Sequence, residues 1–339
     1  MRRPAVRSLS ISMAVTGLLV VVAGCGGSSG GGSGETAGGT PAAGSTGGAT
    51  GGGELQKVSV GVIPIVDVAP IYLGKEKGFF KKHGIELSLS SAQGGAAIVP
   101  GVVSGQFQFG FSNVTSLIIA HDKGLPVKVV AAGNFSTGKV PDFSAVVVKK
   151  DSPIKDAKDL EGKTVSVNTL KNIGDTTVRE SIRKAGGDPA KVKFVELAFP
   201  DMPAAVANGR VDAAWVVEPF VTIAKSQGDR VVAWNLVDTA PNLMIAAYFT
   251  SEKLEQSDPE LVKNFKAAIN ESLDYAQAHQ DEVRQIVPTY TKIDAKLVNK
   301  LTLPVWGTTI NTKSTQRLAD LALQDGLISK KADLSTLLP

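Results

Sequence analysis

From residue 58 onward the chain is punctuated by short apolar runs rich in Val, Ile and Phe: Val58–Ile63, Ile85–Leu89, Phe107–Phe111, Val127–Ala131 and Ala145–Val148. Their length and β-branched content predict buried strands. Between them, Ala69–Lys82, Ala96–Ser104 and Thr115–Lys123 carry helical spacing. The alternation then starts again. Strand-like Thr164–Val167, Val192–Val195, Val211–Val216 and Arg230–Ala233 alternate with helical Ile173–Ala185, Pro203–Asn208 and Pro219–Gln227. Such an order predicts βαβ units and mostly parallel sheets. After Ser251 only helical patterns remain, at Asp258–His279, Asp281–Val287, Ala295–Leu301 and Ser314–Asp325.

The two halves of the alternation echo each other. Val102-Val103-Ser104-Gly105-Gln106-Phe107 lines up with Val206-Ala207-Asn208-Gly209-Arg210-Val211. In both, a helix is expected to stop at a glycine that leads directly into an apolar strand. Two similar α/β halves leave a cleft between them, and open sheets of this kind bind ligands beyond the carboxyl ends of their strands.

The N-terminus follows a different rule. Arg2, Arg3 and Arg7 precede a mostly apolar run, Ile11–Val22, interrupted by Ser12, Thr16 and Gly17. That run is too short and broken for a comfortable bilayer span and predicts a signal peptide over residues 1–24. The residues after Arg2-Arg3 do not fit a twin-arginine signal. The run ends in Val22-Ala23-Gly24-Cys25, which resembles the bacterial lipobox, and Cys25 is the only cysteine in the chain. An internal disulfide is therefore ruled out, and the resemblance implies a diacylglycerol thioether on Cys25, an anchor of two acyl chains. The competing reading is a plain secretory signal with an incidental cysteine.

Gly26–Gly53 is half glycine, and most of the rest is Ser, Thr and Ala. Such a segment has nothing to bury and predicts a flexible tether with a reach of roughly 30 Å. The remaining 286 residues exceed one compact core and predict two lobes. Without the three signal-peptide arginines, 33 Lys+Arg face 32 Asp+Glu, which gives no electrostatic footing for nucleic acid.

Several stretches resemble the nitrate/sulfonate/taurine/thiamine-precursor solute-binding family. Ala69-Pro70-Ile71-Tyr72-Leu73-Gly74-Lys75-Glu76-Lys77-Gly78-Phe79-Phe80, continuing to Leu87, is similar to that family's first helix and second strand. So, in order, are Val102–Asn113, Asp159–Val165 and Asn208–Ala213 followed by Glu218-Pro219. The resemblance implies the type II periplasmic-binding fold: two α/β lobes joined by two crossover strands, with a ligand cleft between. By analogy the crossovers fall near Ala145–Lys149 and Ile245–Thr250. Residues 54–147 plus 246–339 then form lobe one and residues 148–245 lobe two. The family implies a monomeric, cofactor-free binding protein for a small-molecule solute. Its partners would be an ABC permease and cytoplasmic ATPase, and it would be held on the outer face of the plasma membrane or in the periplasm.

Motifs for chemistry are weak. Gly162-Lys163-Thr164 lacks the first glycine of a P-loop and leads into a strand, so no helix start faces a phosphate. Gly110-Phe111-Ser112-Asn113-Val114 is one glycine short of a nucleophile elbow. His83, His121 and His279 are too far apart in sequence to suggest a metal site.

The candidate binding residues stand instead at predicted strand ends. In the first half these are Asp67, Val68, Gln93, Gly94, Gly95, Ser112 and Asn113. In the second they are Thr169, Ile173, Gly174, Asp175, Phe199, Asp201, Glu218 and Phe220. Helix starts offer unpaired N–H groups, glycines admit close backbone approach, and Phe supplies rigid apolar walls. Asp67 and Asp175 also suit helix capping, and Glu218 before Pro219 suits a helix entrance. Trp215, in mid-strand, reads as core.

These loops hold Asp67, Asp175, Asp201 and Glu218 against Lys171 alone. That inventory points to a neutral, zwitterionic or singly anionic ligand, with a donor-bearing end facing Glu218. Three functions remain open: solute capture for import, an extracytoplasmic sensor, and an enzyme on the same fold. The enzymes built on that fold are cytosolic, which the lipobox and tether argue against.

Overall fold

The computed structural model describes residues 54–339. The signal peptide, Cys25 and the tether lie outside the described residues.

Eleven strands are described: β1 (Gln56–Val62), β2 (Ile85–Ser91), β3 (Phe109–Asn113), β4 (Val127–Phe135), β5 (Ser144–Val148), β6 (Thr164–Val167), β7 (Lys193–Glu196), β8 (Ala213–Val217), β9 (Arg230–Ala233), β10 (Met244–Ser251) and β11 (Val305–Trp306). They form a six-stranded sheet in the order β11-β4-β10-β3-β1-β2 and a five-stranded sheet in the order β7-β6-β8-β5-β9. Leaving β11 aside, the two sheets share one topology. A first strand lies between its parallel successors, as β1 between β2 and β3 and β6 between β7 and β8. Next to these lies one antiparallel strand, β10 in the first sheet and β5 in the second. Each of these enters from the opposite sheet, which is why it breaks the otherwise parallel order.

The sequence echo has a physical counterpart. Gly105 and Gly209 both adopt left-handed φ, 81° and 66°, after helices Gly95–Val103 and Met202–Ala207. Only glycine takes that conformation without penalty, so both helices stop at the same point before the third strand of their sheet. Gly78 (φ 80°) has a similar effect inside the predicted helix 69–82, which divides into Ala69–Glu76 and Phe79–Lys82.

The chain changes sheet between Phe135 and Ser144 and returns between Ala233 and Met244. The strands that follow the two crossings, β5 and β10, lie near the Ala145–Lys149 and Ile245–Thr250 expected by analogy, and each pairs inside its destination sheet. The crossings are tied together. Ser136 N–H donates to Leu243 O at 2.9 Å, and the buried Asp142 carboxylate accepts from Ser136 Oγ (2.7 Å), Thr137 N–H and Phe143 N–H.

Helices cover the sheets and bury whole strands. All five residues of β5 and all eight of β10 are buried. The helical tail closes the first sheet through Pro259–Ala278, whose Phe265 stacks on Phe109 with ring centroids 3.8 Å apart. The last helix, Thr312–Gln324, bridges the two halves. Its Arg317 donates to the buried Glu180 of helix Ile173–Lys184 at 2.6 Å, and Arg183 pairs with Glu180 (3.2 Å) and Asp325.

Candidate functional site

The carboxyl ends of β1, β2 and β3 face those of β6, β7 and β8 across a cleft. Direct hydrogen bonds cross it. Gln93 Nε2 donates to Asn168 O (3.1 Å), and Asn168 Nδ2 donates back to Gln93 O (3.3 Å). Ser116 Oγ donates to Asn172 Oδ1 (3.0 Å), and Val66 N–H donates to Glu218 O (3.0 Å). Side chains of the second sheet come close to the backbone at Gly94, where an added Cβ would stand 2.9 Å from both Asn168 Nδ2 and Thr169 Oγ1. Gly94 and Thr169 thus stand close together from opposite sheets.

Beside this bridge lies a cavity of ≈ 270 Å³. The first lobe lines it with Ile63, Pro64, Ile65, Ser91, Ala92 and Gln93, and the second with Ala198, Phe199, Pro200 and Phe220. Phe199 and Phe220 lie parallel, with centroids 6.0 Å apart and planes at 10°. Trp215 meets Phe199 edge-on at 5.4 Å and donates its Nε1–H to Ser144 Oγ, a core role. A larger groove of ≈ 900 Å³ lies away from the strand ends, between Lys184 and the start of helix Thr312–Gln324. It lacks the wall from both sheets that the smaller cavity has.

Several predicted residues turn out to build the fold. Val68 and Ile173 are buried core. A Cβ on Gly95 would meet Ser112 Oγ at 2.0 Å, and one on Gly174 would meet Trp215 Cε3 at 2.5 Å. Both glycines therefore let a helix lie close on its strand, which leaves no room there for a ligand. Ser112 is buried and donates to Asn113 O, while Asn113 caps its helix by accepting from Ser116 N–H at 2.8 Å. Asp175 accepts from Lys171 N–H at 3.0 Å, again a helix-start contact, and burial lifts its carboxyl to about 6. Asp201 is exposed and does not line the cavity.

Glu218 has a different job from the one expected. Its carboxylate accepts from Thr222 N–H (3.0 Å), Thr222 Oγ1 (2.8 Å) and Thr302 N–H (3.1 Å). It caps the helix Phe220–Ser226 and ties it to the tail, so its oxygens are occupied and no ligand donor is needed. Burial raises its pKa to about 7 against these bonds. Glu218→Ala should leave the N–H groups of Thr222 and Thr302 without acceptors and lower stability in chemical denaturation by on the order of 3 kcal/mol. Glu218→Gln should leave solute affinity unchanged by calorimetry.

Asp67 sits just past the end of β1, at 3% exposure. Asn134, at the end of β4, donates Nδ2–H to its Oδ1 at 2.9 Å, while Asp67 Oδ2 and Asn134 Oδ1 have no partner. A proton on Oδ2 would give this buried carboxyl a donor next to the amide whose oxygen lacks one. Burial pushes the Asp67 pKa up to about 7, in keeping with that proton.

Reading the sequence missed Asn134, Ser116 and Asn168. Asn168 follows directly on β6, so the strand-end rule applied one residue earlier would have found it. The partners of Asn134 and Ser116 arise only from the tertiary arrangement.

Residues 65–283 match the profile of the family described as NMT1/THI5 like. The chain belongs to this family. Among curated members, the taurine-binding periplasmic protein of Escherichia coli K12 is 26% identical over 230 residues, covering 66% of this chain and 68% of that one. Riboflavin-binding protein RibY of Chloroflexus aurantiacus is 27% identical over 268 residues, covering 74% and 73%. The alkanesulfonate-binding protein SsuA from Xanthomonas axonopodis pv. citri, solved with MOPS bound, superposes with a TM-score of 0.72 at 15% identity, covering 85% of this chain and 99% of that one. The fold of this NMT1/THI5-like chain is that of the type II periplasmic binding proteins.

Proposed function

We propose that this protein is the extracytoplasmic solute-binding component of an ABC importer, capturing one small solute between its lobes and presenting the closed form to a permease and its ATPase. The observation that carries this reading is the cleft itself. Two sheets of one topology face each other through their strand carboxyl ends, and the reciprocal Gln93–Asn168 bonds span the gap beside a ≈ 270 Å³ cavity. Ligands bind at that edge of open α/β sheets. The relatives support the role, since their names give taurine, riboflavin and alkanesulfonate as ligands. Those ligands differ so much in chemistry that kinship leaves the solute of this chain open.

In this proposal the lobes turn about residues 136–143 and 234–243, and solute shifts an open–closed equilibrium toward closure. The body works as a monomer, tethered by residues 26–53 to a lipid on Cys25. Gln93 and Asn168 belong to the closed form, so replacing both with alanine taxes closure rather than solute contacts. The double variant should weaken the best solute found in a thermal-shift screen of sulfonates, nitrate, amino-pyrimidines and aromatic acids by about 1–2 kcal/mol, roughly five- to thirty-fold in Kd. Unchanged affinity by calorimetry would count against closure across this bridge.

A further inference from the structure

The cavity between the lobes has an unusual lining for a family with sulfonate binders. None of its ten lining residues carries a charge, and the only polar side chains are Ser91 and Gln93, both from the first lobe. The buried ionisable groups nearest to its lining in sequence are Asp67, two residues past Ile65, and Glu218, two before Phe220, and both are acids. A sulfonate enclosed there would lose its hydration with no charged lining residue to replace it. An uncharged solute avoids that cost.

The shape narrows the class further. Phe199 and Phe220 present near-parallel rings on the second lobe, opposite Ile63, Pro64 and Ile65 on the first. Flat apolar walls of this kind suit a flat guest, which gains aromatic contact over its face. Ser91 offers a hydrogen bond along one edge, while the Gln93 amide donates to Asn168 O in the bridge. A volume of ≈ 270 Å³ lies just below the usual ~300–1,000 Å³ of small-molecule pockets and suits one or two rings.

We infer that the solute is an uncharged, planar aromatic or heteroaromatic molecule of one or two rings, held between Phe199/Phe220 and the Ile63–Ile65 segment. This rests on the solute-capture reading above and deepens it. The strongest rival feature is the start of helix Gly95–Val103 beside Gln93, where backbone N–H groups favour an anion.

The test sets these against each other. Indole and 4-aminopyrimidine, both uncharged at pH 8, are titrated calorimetrically into the body alongside taurine and methanesulfonate. The aromatic probes should bind and the two sulfonates should not. Phe199→Leu keeps the core filled but removes the flat ring, and it should weaken the aromatic probes by about 10-fold. Phe220→Leu should act in the same direction, so the result does not depend on one variant folding. Tighter binding of taurine or methanesulfonate than of the aromatic probes would overturn the inference. If that sulfonate binding also compacts the body in solution, solute capture stands while the aromatic assignment falls. Unchanged aromatic affinity in both leucine variants would overturn it too.

Discussion

Cys25→Ser should move the protein almost entirely from the membrane fraction to the soluble fraction or the medium. The proposed attachment is covalent lipid on one sulfur, and a serine oxygen does not form that thioether. Two acyl chains hold a protein stably where one is marginal, so losing the acceptor should be close to all-or-none. Among the described residues no helix is long and apolar enough to cross a membrane. The tether carries no apolar segment either. Melting of the body should be unchanged, because residues 26–53 have almost nothing to bury. Fractionation and immunoblotting read the outcome, and full retention of the variant in membranes would contradict the anchor.

Asp67→Asn should stabilise the protein at pH 8 by on the order of 2–3 kcal/mol and leave it nearly unchanged near pH 4. Burial raises the Asp67 carboxyl from 3.8 to about 7 in the folded chain. Between those values the folded state holds a proton that the unfolded state has released, so stability falls as pH rises and is lost once pH passes about 7. Asparagine copies the protonated form. Its Nδ2–H stands in for the acid O–H beside the Asn134 amide, while its own Oδ1 still accepts from Asn134. Denaturation from pH 4 to pH 8 should therefore show a flatter slope in the variant. Glu218 (about 7) and Asp175 (about 6) are raised by burial too, as are Asp142, Asp229 and Asp325, and together they contribute to the slope that remains. A variant less stable than wild type at pH 8 would show that Asp67 works as an ion.

Much of the fold was legible because buried strands announce themselves. Thr164–Val167 is read to the residue because Lys163 and Asn168 bound it, and Arg230–Ala233 starts sharply after Gly228-Asp229. β4 runs four residues beyond its predicted end, to Phe135, because Ala132, Gly133 and Asn134 interrupt the β-branched pattern although all three are buried. β11 has two residues and no periodicity to detect; pairing with β4 alone defines it. The site was less legible. Phe199, Phe220, Gln93, Gly94 and Thr169 followed from the strand-end rule, which depends only on local order. Glu218 and Asp175 satisfied the same rule yet serve helix starts, and an acid beside a helix looks alike in both roles. Asn134 and Ser116 acquire meaning only from Asp67 and Asn172, 67 and 56 residues away, which no local pattern encodes.

The central claim is closure of two lobes on one solute, and small-angle scattering of the body from Glu54 tests it most directly. Without solute the lobes should sample open forms. At saturation the radius of gyration should fall toward about 19 Å, the value for a compact chain of this length, and the profile should match the closed arrangement bridged by Gln93 and Asn168. A calorimetrically saturated sample whose scattering profile is identical to that of the free protein would contradict capture by closure.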